Sequence, residues 1–284
     1  MNFLKSVYVV SYISFAIAVS IFAAMRLADG GHPIIWVGVL LTTAPFMLIL
    51  SWIMLVQRTA RTSQRFPVII FLAILGLAMA LLGWNQMQAS ILGVQLASGG
   101  LLGFLIYTYW YSSFNNRSSQ IEVGKKLPDF TLTLADGSEM TSEQLRDRPS
   151  ILMFYRGNWC PLCMAQVREL SKRYQELEAA NVRTAMISPQ PHKNTISLAK
   201  KFNVGFEFYT DRKNKAARAL GIANKFGVPM GMQVLGYDSE TVLPTVIITD
   251  ANGKVIWLHE TDNYRVRPEP DVFMAVLRQH GIAV

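Results

Sequence analysis

The sequence predicts two unlike parts in one chain. Residues 1–116 read as an α-helical membrane region of four transmembrane helices, and residues 117–284 as an α/β domain with a mixed central sheet. Three observations carry this. Charge is lopsided: residues 1–116 contain only Lys5, Arg26, Asp29, Arg58, Arg61 and Arg65, whereas the other 168 residues hold 40 charged side chains, 22 basic and 18 acidic. Four long apolar stretches fill the first part. In the second, short alternating strands and amphipathic helices replace them. A single soluble globule and a disordered chain are both excluded. The net charge of +8 divides as +4 and +4 between the parts, so no basic stripe forms and nucleic acid is not an expected partner.

The apolar stretches are Leu4–Met25, Pro33–Val56, Phe66–Trp84 and Ala89–Phe114, each near the roughly 20 residues that cross a bilayer. Trp36, Trp52, Trp84, Tyr107, Tyr109, Trp110 and Tyr111 lie mostly at their ends, where amphipathic rings favour the interface. Gly30-Gly31-His32-Pro33 separates the first pair, three arginines separate the second and third, and Trp84–Gln88 forms an uncharged break before the fourth. The first run is too long for a signal peptide and no small-x-small cleavage site follows it. The spans carry no central ionisable residue and no cysteine, so neither an ion path nor thiol relay is expected there. Gly99-x-x-x-Gly103 reads as small residues packing within one bundle or as a helix-dimer face.

Arg58, Arg61 and Arg65 assign their loop to the cytoplasm. Four crossings then return the chain, with Arg117, Lys125 and Lys126, to the same side. The C-terminal domain is cytoplasmic on four spans and periplasmic on three. The arrangement fits a multi-pass protein of a bacterial inner membrane.

Asn115–Gln120 reads as a short polar hinge. Phe130–Leu134 alternates and Asp136-Gly137 turns it into a hairpin. Ser150–Tyr155 is an apolar strand, Pro161–Ala180 a helix and Val182–Ile187 a strand. Thr195–Phe202 is a helix, Phe206–Thr210 a strand, and Lys213–Leu220 a helix stopped by Gly221. Val242–Thr249, a turn at Asp250–Gly253 and Val255–His259 form a second hairpin, and Glu269–Gln279 closes the domain as a helix.

The two cysteines, Cys160 and Cys163, stand in Trp159-Cys-Pro-Leu-Cys163 where a strand ends and a helix begins. A helix N-terminus favours a thiolate, and the spacing sets both sulfurs on one side of the first turn, within disulfide reach. Pro161 suits an early helical position, having no N–H to leave unpaired. A zinc site would need four ligands, and His192, His259 and His280 are scattered, so no metal or other cofactor is expected. Trp159 either shields the thiols or simply packs. Arg156 either supplies charge or is a solvated loop residue. His192 reads as a surface residue.

Trp159-Cys-x-x-Cys163 with Leu243-Pro244-Thr245 opening a late strand resembles the thioredoxin fold, in which that proline is cis and faces the cysteines. Val123-Gly124 through Asp129-Phe130, Phe154-Tyr-Arg-Gly-Asn-Trp159, Ile187-Ser188 and Tyr209-Thr-Asp211 resemble the peroxiredoxin-like branch, the alkyl hydroperoxide reductase / thiol-specific antioxidant family, over about residues 121–282. The resemblance implies a thioredoxin-like domain with Cys160 and Cys163 catalytic, and Trp159, Pro161, Pro244, Thr245 and Arg156 positioning the substrate. Its two patterns assign the first attack differently. The thioredoxin-like pattern gives it to Cys160 with Cys163 resolving. The peroxiredoxin pattern aligns Cys163 with the peroxide-attacking cysteine, but puts Cys160 where its threonine stands and Pro244 at or near its arginine. Tyr264–Pro270 resembles a segment of the same branch and reads as a cap on the last helix.

Three functions follow. The leading expectation is a membrane-anchored thiol-disulfide oxidoreductase in which Cys160 attacks, Cys163 closes the internal disulfide and an external thiol reductant or thioredoxin-like partner resets the pair; the other two are alternatives. The second is an antioxidant thiol peroxidase acting on hydroperoxides. The third is a redox sensor or assembly factor at the lipid bilayer.

Overall fold

The computed structural model describes residues 2–56, 58–87, 91–114 and 120–283. The hinge read at Asn115–Gln120 falls outside them except for Gln120, as do Arg117, Gln88 and Ala89. The chain forms two compact units: Val7–Val56 with Thr62–Ser113, and Phe114–Val284 with Met1–Ser6 and Gln57–Arg61.

The helical unit holds α1 (Asn2–Ala28) from Val7 onward, α2 (Pro33–Val56), α3 (Pro67–Met87) and α4 (Leu92–Ile106), the last continued by a π-helical turn at Tyr107–Tyr111. All four are long and apolar enough to cross a membrane, α4 together with its π turn. Pro33 and Pro67 open their helices, where a missing N–H costs nothing. Small residues bring the backbones together. A β-carbon on Gly38 would lie 2.5 Å from the Gly76 carbonyl oxygen, so α2 and α3 touch through main chain. Gly99 and Gly103 face the rings of Phe15 and Tyr12 on α1, so this motif packs inside the bundle. Hydroxyls find partners within it: Tyr12 donates to the Gly100 carbonyl at 3.1 Å, and Ser20 meets Thr43 at 2.8 Å.

The second unit holds a thioredoxin-like fold. Its strands are β1 (Thr131–Leu134), β2 (Glu139–Thr141), β3 (Ser150–Phe154), β4 (Arg183–Ser188), β5 (Glu207–Thr210), β6 (Ala223–Asn224), β7 (Thr241–Val242), β8 (Thr245–Thr249) and β9 (Val255–Glu260). Seven of them form one mixed sheet in the order β2-β1-β5-β4-β3-β8-β9, and β6 pairs with β7 separately. β3, β4 and β5 are parallel, while β8 and β9 return antiparallel. β3, β4 and β8 are buried along their whole length, as strands covered on both faces must be. Leu152, Phe154, Ile187, Tyr209 and Ile247 form one core with Ala216, Ala217 and Leu220 of the α8 region. The helices are α5 (Pro161–Ser171), α6 (Tyr174–Ala179), α7 (His192–Phe202), α8 (Lys215–Ala219) and α9 (Pro270–Gln279).

Four elements differ from the expected ones. α3 runs on to Met87, through most of the break expected at Trp84–Gln88. The helix over 161–180 divides into α5 and α6, because the Lys172 and Arg173 amides bond three residues back and tighten the ladder to a close. The strand over 242–249 divides at Leu243-Pro244. Pro244 has no N–H for a ladder, and the Leu243 amide donates to Ile222 at 2.8 Å instead. The helix over 213–220 starts as a single tight turn and becomes α8 at Lys215, where Asp211 accepts the Ala216 and Ala217 amides, both at 2.9 Å.

Candidate active site

The site forms where β3 ends. Phe154 is the last strand residue, and Tyr155–Trp159 carry the chain to Cys160, which caps α5 with extended backbone. Pro161 is the first helical residue, and the Met164 amide donates back to Cys160 at 3.1 Å as the first helical bond. The connecting loop is fixed at several points. Its Asn158 amide donates to Gln190 Oε1 at 2.8 Å, and Thr241 Oγ1 donates to the Arg156 carbonyl at 2.8 Å. Gly157 adopts φ +136°, a conformation only glycine holds easily, and a β-carbon there would meet the Trp159 indole at 2.8 Å. Both sulfurs are enclosed: Cys160 is 2% exposed and Cys163 0%. Neither is in a disulfide.

Two buried arginines attend the pair. Arg267 Nη2 lies 3.3 Å from Cys163 Sγ and 3.9 Å from Cys160 Sγ. Its other donors lock it: Nη1 to Gln166 Oε1 at 3.0 Å and Nε to the Tyr264 carbonyl at 3.1 Å. Gln166 follows Cys163 by three positions, so α5 presents the sulfur and the arginine's anchor on one face. Arg156 donates through Nη2 to the Gly227 carbonyl, and its guanidinium lies 4.7 Å from the Trp159 ring centre and 5.2 Å from that of Tyr264. Among the described residues, the Trp159 indole N–H is buried and has no hydrogen-bond partner.

The two thiols are thereby made unequal. Burial pushes the Cys160 thiol well above its ordinary value, and its S–H is further held by donation to Cys163. Burial acts on Cys163 in the same direction, but is outweighed by the Cys160 S–H donor, the Arg267 charge, a backbone hydrogen bond from Arg156 and the Arg156 charge. The net effect lowers Cys163 from 9.0 to about 5. The arrangement sets two fixed cations beside an enclosed pair of sulfurs and favours ionisation at Cys163 over Cys160.

The structure brings Cys160, Cys163, Trp159, Pro161 and Arg156 together around this loop. Thr245 opens β8 opposite Phe154, and its hydroxyl donates to Leu243 at 3.0 Å. Pro244 stands beside it, but no described peptide bond is cis, so the cis geometry implied by the thioredoxin resemblance is not adopted. His192 begins α7 and meets Thr210 at 2.9 Å. Arg267 was not singled out from the sequence. Its segment does lead into α9, which is capped at Glu269, but the side chain turns inward and is only 4% exposed. The usable signal was the resemblance of Tyr264–Pro270 to a redoxin segment, combined with an arginine placed outside any helix face.

The sequence profile of the AhpC/TSA family matches residues 123–258, which stops short of Arg267. The chain is similar to the thiol-disulfide oxidoreductase ResA of Geobacillus thermodenitrificans, 26% identical over 156 residues, covering 55% of this chain and 78% of that protein. It is 30% identical over 110 residues to the putative peroxiredoxin bcp of Coxiella burnetii, covering 38% of this chain and 73% of that one. Among solved structures, peroxidoxin BcpB from Mycobacterium tuberculosis superposes with a TM-score of 0.47 at 19% identity, covering 56% of this chain and 97% of that chain. The chain belongs to the AhpC/TSA family and is an oxidoreductase of the peroxiredoxin and thiol-disulfide oxidoreductase group.

Proposed function

We propose that the protein is a membrane-anchored, thiol-dependent peroxidase in which Cys163 attacks and Cys160 resolves. The observation that carries this is the Arg267 contact to Cys163 Sγ at 3.3 Å in a site where neither sulfur is more than 2% exposed. So enclosed a sulfur favours a small co-substrate such as a hydroperoxide over a protein disulfide, which needs a more open approach. The Cys163 thiolate attacks the outer oxygen of the hydroperoxide. The O–O bond breaks, the alcohol or water leaves with a proton, and Cys163 becomes a sulfenic acid. Cys160 then displaces hydroxide from that sulfur, which departs as water, and the internal disulfide forms. Two thiols of an external reductant, itself oxidised to a disulfide, return the pair to its starting state. Arg267 and Arg156 supply the positive charge that favours the thiolate.

Dithiol exchange led by Cys160 is the second reading. It is favoured by the position of Cys160 at the helix cap and by the similarity to ResA, a protein named for thiol-disulfide exchange. On either reading the pair stands in a domain held by four spans. Met1–Ser6 and Gln57–Arg61 belong to the same unit as Phe114–Val284, and Arg61 pairs with Glu169 at 2.5 Å. N-terminus, arginine loop and catalytic domain share one side of a membrane only when an even number of crossings separates them. That supports four spans, with residues 1–116 as the anchor, residues 117–284 as the redox domain, and the domain in the cytoplasm of a bacterial cell.

The test uses the full chain in detergent micelles. Hydroperoxide consumption should vanish in Cys163→Ser. Cys160→Ser should complete one turnover, leave a sulfenic acid trappable by dimedone, and then stall. Disulfide reduction that is lost in Cys160→Ser, stops at a trapped Cys160 mixed disulfide in Cys163→Ser and comes without peroxide consumption would establish the second reading instead. A reporter fused after Val284 should read cytoplasm, and a periplasmic signal refutes four spans.

A further inference from the structure

The stretch between β6 and β7 is the least soluble-looking surface of the redox unit. From Lys225 to Gly236 it reads Lys-Phe-Gly-Val-Pro-Met-Gly-Met-Gln-Val-Leu-Gly, with one basic and no acidic residue. Val228 is buried, but four of its apolar side chains are not: Phe226, Met230 and Leu235 are exposed, and Val234 is 90% exposed. A soluble domain scatters such residues singly, and four within ten positions mark an interaction surface. The local backbone enforces the display. Gly231 and Gly236, both at positive φ, bracket one tight helical turn, Met232–Leu235, in which no residue is buried.

What covers this surface follows from its neighbour. The first turn of α1 belongs to the same unit. Asn2 Nδ2 donates to Asn224 Oδ1 at 2.9 Å, and Ser6 Oγ donates to the Val228 carbonyl at 2.8 Å. The Phe3 ring meets Phe226 edge-on at 5.6 Å. Two of these contacts tie the loop, and the third the strand end before it, to the end of an apolar helix long enough to span a bilayer. The end of such a helix lies at the headgroup level. We infer that the loop Lys225–Gly236 docks on the lipid bilayer, setting Met230, Val234 and Leu235 into the headgroup–acyl boundary with Lys225 among the headgroups. The same loop is bonded to the cysteine site. Arg156 donates to its Gly227 carbonyl, and Tyr237, just past its end, donates to Asn158. The lipid surface therefore borders the loop that delivers Cys160.

This inference rests on the reading that α1 crosses the membrane, and its test separates the two. The full chain carrying Cys160→Ser and Cys163→Ser, with Val234→Cys as its single thiol, is labelled with an environment-sensitive fluorophore. It is then reconstituted into phosphatidylcholine–phosphatidylglycerol vesicles. Met230→Cys and Leu235→Cys repeat the measurement, and Asp136→Cys at the first hairpin is the aqueous control. Doxyl-labelled lipid should quench the three loop positions several-fold more than the control, and iodide should quench them several-fold less. If the chain stays in the vesicles after carbonate extraction but the loop labels behave like the control, the docking inference is overturned. If carbonate releases the chain, the membrane reading fails and the inference with it. Shielding from iodide without lipid quenching, persisting in detergent, assigns the surface to a protein partner and also overturns it.

Discussion

Two buried arginines in the redox unit solve opposite problems. Arg183 begins β4, and its side chain is 6% exposed. It is neutralised by carboxylates, Asp147 at 2.5 Å and Glu207 at 3.0 Å. β3 and β4 run parallel, with Ser150 opposite Arg183 and Phe154 opposite Ile187, so this cluster sits at the start of the strands that deliver the cysteines from their far end. Arg267 serves that far end. Among the described residues its hydrogen-bond acceptors are one amide oxygen, one carbonyl and two sulfurs, and no carboxylate. A buried cation with permanent counter-charges is satisfied and structural. A buried cation without them draws its counter-charge from whichever neighbour can ionise, and here that neighbour is Cys163. The lesson is that an arginine's role is read from what neutralises it, not from how deeply it is buried.

Removing the charge at Arg267 should have the largest effect. Arg267→Ala should lower kcat/KM for hydroperoxide by roughly 10²–10³-fold, the range for losing one preorganised charge-stabilising group. It should also move the pH midpoint of Cys163 alkylation upward. In the wild type, thiolate reactivity should rise with pH through a midpoint near 5, because Cys163 loses its proton there; below it the thiol form dominates and alkylation by iodoacetamide slows. An unchanged midpoint in Arg267→Ala would sink the assignment of this arginine.

A smaller effect is expected one step out. Gln166→Met keeps the bulk on α5 but removes the acceptor that holds Arg267 Nη1 at 3.0 Å. The loss of one hydrogen bond to a charged group corresponds to about a tenfold drop in kcat/KM, with the alkylation midpoint shifted the same way as in Arg267→Ala but less. A normal midpoint with lowered activity would mean Gln166 acts other than through the arginine.

Arg183→Met should show the smallest effect on chemistry and a real one on folding. Breaking that cluster should cost about 3 kcal/mol, the low end for a buried pair, because Asp147 is itself 58% exposed. Activity per folded molecule and the Cys163 midpoint should stay at wild-type values. If Arg183→Met also moves the midpoint, the two arginines are not separable and the comparison fails.

Much of the fold is legible in the sequence because it rests on short-range patterns. Pro33–Val56 is predicted and found with the same bounds, since a charge-free apolar run bounded by Pro and Arg leaves a helix little choice. The Cys160–Cys163 helix start is legible because Pro161 and the strand before it are local signals. The divided strand at Leu243-Pro244 is less so. The proline announces a break, but the new partner of the Leu243 amide, Ile222, lies two elements away.

The split between a charge-poor helical region and a charge-rich α/β domain, and two cysteines one helical turn apart, can be read from the sequence alone. Periodicity and composition suffice for that. The preference for ionisation at Cys163 over Cys160 is set by the tertiary structure alone. Proton affinity depends on charges and burial through space, and the guanidinium that favours the Cys163 thiolate comes from 104 residues along the chain, beyond the stretch that matches the family.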